Sequence, residues 1–501
     1  MRNIFERSVG LLGERVKATS RVFSVSPELR HSWPTIALLL IFFLALSIRM
    51  VPTRYGTILD PDAFYMFRMA SNIVEKGYYP MWDNLGWQPW GRSLAADMPL
   101  LPFAIAYTFM ALKAIGVRMA LNTWTILFAG LVGATSVFGT FFIGRAMRDT
   151  KTGLLAAFLI ATIPEFLNRT IGGVTDKECL AFPLMLTGMA FFAMMIKERD
   201  LDKALLKALC AGFFLGLVAL TWGGFTYILL LLSAFYALIV ILDIAALHGL
   251  DMTWALGCVV ASSSMLFVAM GIRNWSVNNP FVLIHMLSIA ALVFYYVLVK
   301  VSVPMGYLSR RSAIALFVGV SILVGLFPVY GASLGLVRFR IPYKFIILLN
   351  PFATPKEGMH VTVQEYANPT FGDFISRYNI YLFISIAGMI IVLLRRSSSR
   401  LVSMFVVLWA LSGFYAGLSA IRNTMLLTPA LCLLAALAIV EFTTVISRER
   451  AVRFIRGVKS KEAEELIRRE LRLARLGGPI VALLLIILLM PSMMLGIDLV
   501  K

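Results

Sequence analysis

Three short acidic motifs stand out in a chain poor in acid, with 27 Asp and Glu among 501 residues. Asp60 and Asp62 flank a proline in Leu59-Asp60-Pro61-Asp62. Asp176 and Glu178 close the run Gly172-Gly173-Val174-Thr175-Asp176-Lys177-Glu178, and Glu365 ends Thr362-Val363-Gln364-Glu365. Carboxylates gathered at one surface suit a hard divalent cation, Mg2+ or Mn2+, which takes oxygen ligands and often holds a diphosphate as well. Each motif alone has a plainer reading: Asp60 can cap a turn before Pro61, and Asp176 and Glu178 can cap the following helix. Arg422, in Ala420-Ile421-Arg422-Asn423, is closely flanked by apolar runs. Alone it reads as an arginine snorkelling at a helix end; beside carboxylates its guanidinium suits a phosphate. The 4 cysteines show no CxxC spacing, so neither zinc nor a disulfide framework is expected. Among the histidines only His360 falls near an acidic motif, and a loop histidine reads as a solvated bystander.

The composition says what kind of element must hold these residues. Hydrophobic residues make up 59% and charged residues 15%, against about a quarter charged in a soluble domain. An all-α polytopic membrane protein is expected. The net charge of +19 would suggest nucleic acid in a soluble protein. In a membrane chain it marks cytoplasmic loops instead, and no nucleic-acid partner is expected. Apolar runs long enough to span lie at about 34–52, 120–143, 153–171, 179–196, 204–222, 225–246, 253–271, 281–300, 312–333, 379–394, 401–418, 424–442 and 479–497, about thirteen in all. The apolar stretch Pro99–Val117 is assigned to the interface, because counting it as a span would move several Lys/Arg clusters outside. This places the N-terminal segment 1–33 in the cytoplasm, the C-terminus outside, and a membrane domain over 34–497. Two long outer loops result, at about 53–119 and 334–378, and all three acidic motifs fall on the outer side. The first loop is rich in Tyr and Trp and is expected to be ordered against the headgroup layer. Residues 447–476, alternating Lys/Arg with Glu, read as a cytoplasmic charged helix facing anionic membrane lipid.

In order and spacing these motifs resemble the catalytic subunit of oligosaccharyltransferase in its archaeal and eukaryotic form. The first acidic motif continues Asp60-Pro61-Asp62-Ala63-Phe64-Tyr65-Met66-Phe67-Arg68; Gln88-Pro89-Trp90-Gly91-Arg92 matches a Tyr-Pro-x-Gly-Arg element at Pro, Gly and Arg. Trp222-Gly223-Gly224, the Thr362-to-Glu365 motif and Arg422 follow in place. The resemblance implies a glycosyltransferase C-type membrane domain that moves an oligosaccharide from a dolichyl phosphate or pyrophosphate carrier to the side-chain amide of Asn. It implies Asp60 and Glu365 as catalytic residues gripping that amide, Asp60, Asp176 and Glu178 as ligands of Mn2+ or Mg2+, and Arg422 at the lipid phosphate. Thr362 and Glu365 would belong to a loop that closes over an Asn-x-Ser/Thr acceptor. It further implies a cell-membrane location if the source is prokaryotic. The family's outer soluble domain, with Trp-Trp-Asp-Tyr-Gly, has no counterpart before Lys501. A truncated chain, a separate polypeptide supplying that domain, and a different mode of acceptor selection are the alternatives. A related glycosyltransferase with a non-Asn acceptor and a lipid or solute transporter are the competing functions; the latter expects ionisable residues near the midplane and inverted repeats. Of the chain's own sequons, Asn274-Trp275-Ser276 is the one expected to carry a glycan, since Asn168-Arg169-Thr170 lies beside the acidic site and Asn368-Pro369-Thr370 is barred by its proline.

Overall fold

The computed structural model describes residues 27–272, 275–333, 365, 367–394 and 400–456. Helix α1 (Pro27–Met50) leads through a short 3-10 turn to α2 (Pro61–Lys76). A two-stranded antiparallel ribbon follows, β1 (Trp82–Asp83) paired with β2 (Arg92–Ser93), and then α3 (Leu100–Ala114). Next come α4 (Leu121–Ala134), α5 (Ser136–Met147), α6 (Thr150–Thr162), the short α7 (Pro164–Leu167), α8 (Lys177–Lys197), α9 (Leu201–Ala219) and α10 (Phe225–Ile244). The chain continues through α11 (Met252–Ala269), α12 (Pro280–Tyr296), α13 (Arg310–Ser333), α14 (Phe371–Tyr378), α15 (Ile380–Leu394), α16 (Arg400–Ser419) and α17 (Thr428–Arg456).

The protein is a mostly helical, multi-pass integral membrane protein. Among the described residues 7 helices are long and apolar enough to cross a bilayer, or 8 if α14 and α15, bent by 91°, are taken as one span. The expected run 479–497 lies outside the described residues. The ribbon is a small departure from an all-helical reading. Helices meet at small residues, as expected where lipid removes any hydrophobic drive between them. A Cβ on Gly212 of α9 would collide with the Ala261 carbonyl of α11, and one on Gly388 of α15 with that of Leu434 in α17.

The segment between α1 and α4 is folded onto the helices. Asp60 caps α2 and Pro61 starts it, while Met66, Ala70 and Ile73 on its inner face pack against α3 and α4. Arg68 holds Asp83 of β1 with two bonds of 3.0 and 2.5 Å, and Arg92 of β2 holds Asp97 at 2.9 and 2.7 Å. The arginines of the first two motifs therefore clamp the ribbon onto α2. Helix α3 has 15 residues, about 22 Å at 1.5 Å per residue, short of the roughly 30 Å hydrocarbon layer.

Two expected elements end elsewhere. The run 153–171 is helical only to Thr162, because Pro164 holds Ile163 extended (φ −68°, ψ 127°) and starts a separate short helix. Residues 163–176 then form a largely buried passage whose only helical part is α7. At the other end, α17 runs unbroken from Thr428 to Arg456, so the charged segment begins as a continuation of the preceding apolar helix rather than as a separate one.

The passage 163–176 is tied on every side. Gly172 N–H donates to the Arg49 carbonyl at 2.8 Å, Gly173 N–H to the Ile126 carbonyl at 2.9 Å, and Leu59 N–H to the Gly173 carbonyl at 2.9 Å. Thr175 Oγ1 donates to the Thr125 carbonyl at 2.6 Å. Gly173 takes φ +89° with Leu59 packed over its Cα, a conformation and clearance that only glycine meets at low cost. Arg49, fully buried at the end of α1, donates Nε to Thr170 Oγ1 at 3.0 Å and Nη1 to the carbonyls of Ala161 and Ala45 at 3.0 and 3.1 Å. Replacing Arg49 by Met keeps bulk but leaves these acceptors dry and unpaired, at a cost of about 2–4 kcal/mol. The thermal midpoint of Arg49→Met in detergent should fall by several degrees; an unchanged midpoint would show that the passage is held without it.

Candidate active site

Four regions of the chain far apart in sequence meet around one cavity of about 420 Å3. Its lining includes Asp60, Glu165, Arg169, Glu365, Arg377 and Arg422. The passage 163–176 supplies Glu165 and Arg169 and ends at Asp176, the residue before α8. The stretch before α14 supplies Glu365, and α14 itself supplies Arg377. The 3-10 turn Ile421–Leu426, between α16 and α17, supplies Arg422.

Guanidinium groups bind these segments to one another. Arg169 Nη2 donates to Glu365 Oε1 at 2.5 Å, across 196 residues. Arg422 Nη2 donates to Glu178 Oε1 at 3.1 Å, while its Nη1 stands 3.8 Å from Glu365 Oε2. Arg377 Nη1 donates to Glu165 Oε2 at 2.5 Å, and Thr424 Oγ1 donates to Glu165 Oε1 at 2.6 Å. Arg169 is pulled two ways. Burial alone would lower its pKa, but the charges of Glu178 and Glu365 raise it overall. Glu165 is 5% exposed, and burial raises its pKa despite the facing Arg377.

The two capping readings separate here. Asp60 does cap α2, its Oδ1 accepting from Asp62 N–H at 2.8 Å and Ala63 N–H at 3.4 Å, and it still lines the cavity. Burial is the main cause that raises its pKa. Asp176 stands at the N-cap of α8 without any side-chain capping bond. Its carboxyl turns to Glu178 instead, and the pair is dry: Asp176 is 5% and Glu178 4% exposed. Burial first, then the charge of Glu178, pushes the Asp176 carboxyl well above the usual carboxylate range. Asp176 Oδ1 and Glu178 Oε2 are buried without a hydrogen-bond partner. Two adjacent acidic groups with orphaned oxygens are a donor set suited to a hard cation, which would relieve both the repulsion and the lost hydration. Among the described residues no three His, Cys, Asp or Glu groups converge closely enough to enclose a metal ion.

Residues 36–491 match the family model described as Oligosaccharyl transferase STT3, N-terminal. The chain belongs to that family. It is 24% identical over 426 residues to the rice (Oryza sativa subsp. japonica) dolichyl-diphosphooligosaccharide–protein glycosyltransferase subunit STT3A, covering 82% of this chain and 52% of the relative. It is 23% identical over 414 residues to subunit STT3 of Saccharomyces cerevisiae, covering 80% and 55%. The chain thus spans about half the length of the curated relatives it matches. Its fold is similar to that of the archaeal oligosaccharyltransferase AglB from Archaeoglobus fulgidus, solved with an inhibitory peptide and a dolichol-phosphate, with TM-score 0.74 and 17% identity over 94% of this chain and 56% of that one.

In this STT3-family chain the structure brings Asp60, Asp176, Glu178, Glu365 and Arg422 to one end of the bundle. Thr362, Asn274 and His360 lie outside the described residues. Asn168 lines the cavity, in keeping with its assignment beside the acidic site. Sequence reading passed over Glu165, Arg169 and Arg377. The first two were absorbed into an apolar run taken as helix, although Pro164 was the available signal that the helix stops. Arg377 had no such cue.

Glu165 joins the segments that carry Arg377 and, through Thr424, Arg422. Glu165→Gln leaves Arg377 half-buried without its counter-charge and should destabilise the fold by about 1–3 kcal/mol. In a double-mutant cycle, adding Arg377→Met to Glu165→Gln should cost less than the two single losses summed. Strict additivity in thermal unfolding would refute the coupling.

Proposed function

We propose that this chain is the catalytic membrane part of an oligosaccharyltransferase. It transfers an oligosaccharide from a polyprenyl (dolichyl) phosphate or pyrophosphate carrier to the side-chain amide of Asn in an Asn-x-Ser/Thr acceptor. The observation that supports this most is that Arg422 reaches Glu178 and Glu365 together, so that the buried acidic motif and the outer-loop glutamate share one cation at one cavity. The relatives' names and the peptide and dolichol-phosphate held by the archaeal neighbour point the same way.

The chemical difficulty lies in the acceptor. An amide nitrogen shares its lone pair with the carbonyl, and the barrier of about 18–20 kcal/mol to rotating a peptide C–N bond gives the scale. Asp60 and Glu365, each accepting one amide N–H, weaken that conjugation and aim the nitrogen at the sugar's anomeric carbon. As the new C–N bond forms, the bond from the anomeric carbon to the phosphate oxygen breaks, and an amide proton passes to a carboxylate. Arg422 and Arg169 receive the departing phosphate. In the described state both arginines hold Glu365. A phosphate arriving on the carrier competes for them, so donor binding frees Glu365 to meet the acceptor. The loop from Thr362 to Glu365 closes over the peptide and opens to release product. Asp176 and Glu178, with Asp60 across the cavity, would hold Mn2+ or Mg2+, which when bound supplies Lewis-acid neutralisation of the leaving phosphate.

The test is transfer from lipid-linked oligosaccharide to a fluorescent Asn-x-Thr peptide, read as a gel shift with membranes carrying the chain. Asp60→Ala should abolish product while leaving the thermal midpoint near wild type. Glu365→Gln should slow turnover by roughly a hundredfold, as when one positioned group is removed from such a site. Asp176→Ala should raise the Mn2+ needed for half-maximal transfer by about tenfold or more. Wild-type rates in Asp60→Ala would sink the reading.

The thirteen-span arrangement, with the N-terminus in the cytoplasm and the C-terminus outside, belongs to the same proposal. A cysteine at Ser460 should react with an impermeant maleimide only from the cytoplasmic side, and one at Asn368 only from the outside. Labelling of both from one side contradicts it.

A further inference from the structure

A second cavity, of about 400 Å3, lies at the other end of the bundle, lined by Asp243, His248, Lys300 and Arg310 among others. Helix α16 measures the separation. Its first residue, Arg400, acts electrostatically on His248, and its last leads into the turn that carries Arg422. Its 20 residues make about 30 Å, the thickness of a hydrocarbon layer. The two cavities therefore sit at opposite membrane faces.

The acid in this cavity is already neutralised. Asp243, 3% exposed, accepts from Lys300 Nζ, Tyr295 OH and the Leu250 N–H, each at 2.8 Å. Arg310 Nη2 donates to the Asp243 carbonyl at 3.0 Å, and Arg310 lines the same space. Arg400 and Asp251 both act electrostatically on His248, so three cationic groups stand against two carboxylates here. Two nitrogens remain unsatisfied: His248 Nε2 and Arg400 Nε are buried with no hydrogen-bond partner. An arginine Nε always carries a proton, so what is missing beside it is an acceptor. A π-helical segment, Val297–Ser302, carries Lys300 to this place, and such irregular turns recur at functional sites. Exposed Leu247, Met305 and Tyr307 flank the lining residues in sequence and would suit acyl chains better than bulk water.

We propose that this cavity binds a phosphate-class anion at the membrane face opposite the catalytic cavity, and that the headgroup of an acidic phospholipid is its source. Lys300 and Arg310 provide the charge in the lining, Arg400 adds to it from beside His248, and His248 Nε2 and Arg310 provide the directed donors. The proposal does not depend on the catalytic reading.

Native mass spectrometry of the full chain, titrated with phosphatidylglycerol or phosphatidylcholine in detergent, tests it. Wild type should hold one phosphatidylglycerol roughly tenfold more tightly than phosphatidylcholine, as expected for charge-assisted bonds. The preference should vanish in Arg310→Gln combined with Arg400→Gln and survive in Arg311→Gln, whose side chain does not line the cavity. Millimolar inorganic phosphate that displaces phosphatidylglycerol and raises the wild-type thermal midpoint equally would identify a soluble phosphate as the source and still support the site. Should the double variant not fold, the wild-type comparison remains decisive. No preference for phosphatidylglycerol together with no shift in phosphate overturns the proposal, as does a preference that survives the double substitution.

Discussion

A polar, mostly irregular passage buried among membrane helices is the constraint on which the rest of this structure depends. Inside a bundle there is no water to satisfy exposed N–H and C=O groups, so such a passage persists only where protein supplies every partner. Residues 163–176 find theirs in the end of α1, the start of α2 and the length of α4. Arg49 is central, because its guanidinium is satisfied by carbonyls and a hydroxyl rather than by a carboxylate. It therefore braces the passage without adding an acid to the neighbourhood of Asp176 and Glu178. The orientation of α8, and with it the direction of the acidic pair, follows from this anchoring.

A lattice of arginines and carboxylates then assembles the cavity. Arg169, Arg377 and Arg422 each cross to an acid on another segment, over sequence separations of 196, 212 and 244 residues. Ion pairs of this kind are costly to break one partner at a time, because the survivor is left in a poor solvent. They are also exchangeable. A phosphate can take over a guanidinium from a carboxylate at little net loss. The fold thus holds its outer segments in place by bonds that a charged ligand can compete for, while the hydrophobic packing underneath stays fixed.

Much of this was legible because acids are rare in an apolar chain, so Asp60, Asp176, Glu178 and Glu365 were conspicuous wherever they fell. The apolar runs, too, mark helices through α17. What escaped has physical causes. A window of hydrophobicity averages over Glu165 and Arg169, and so reads across the break that Pro164 makes. Pairing across two hundred residues leaves no trace in local spacing, which is why Arg377 was not singled out. The capping readings of Asp60 and Asp176 were indistinguishable in sequence; only the absence of a capping bond at Asp176 and the presence of two at Asp60 separates them. The charged stretch near the C-terminus reads as its own helix because charge changes abruptly there, whereas the backbone of α17 continues into it as far as Arg456.

The 91° turn at Asn379, where α14 leaves the axis of α15, has a consequence for how such chains can diverge. Helix α14 is closed at its start by a reciprocal capping box between Thr370 and Asp373, and is fixed near its end by Arg377 on Glu165. A doubly fastened crosspiece therefore stands between the stretch that carries Glu365 and the helices that follow. Residues can be gained or lost upstream of Asn368 without any change of register reaching α15, α16 or the turn that bears Arg422. Insertions and deletions there can accumulate while the frame beneath is inherited intact.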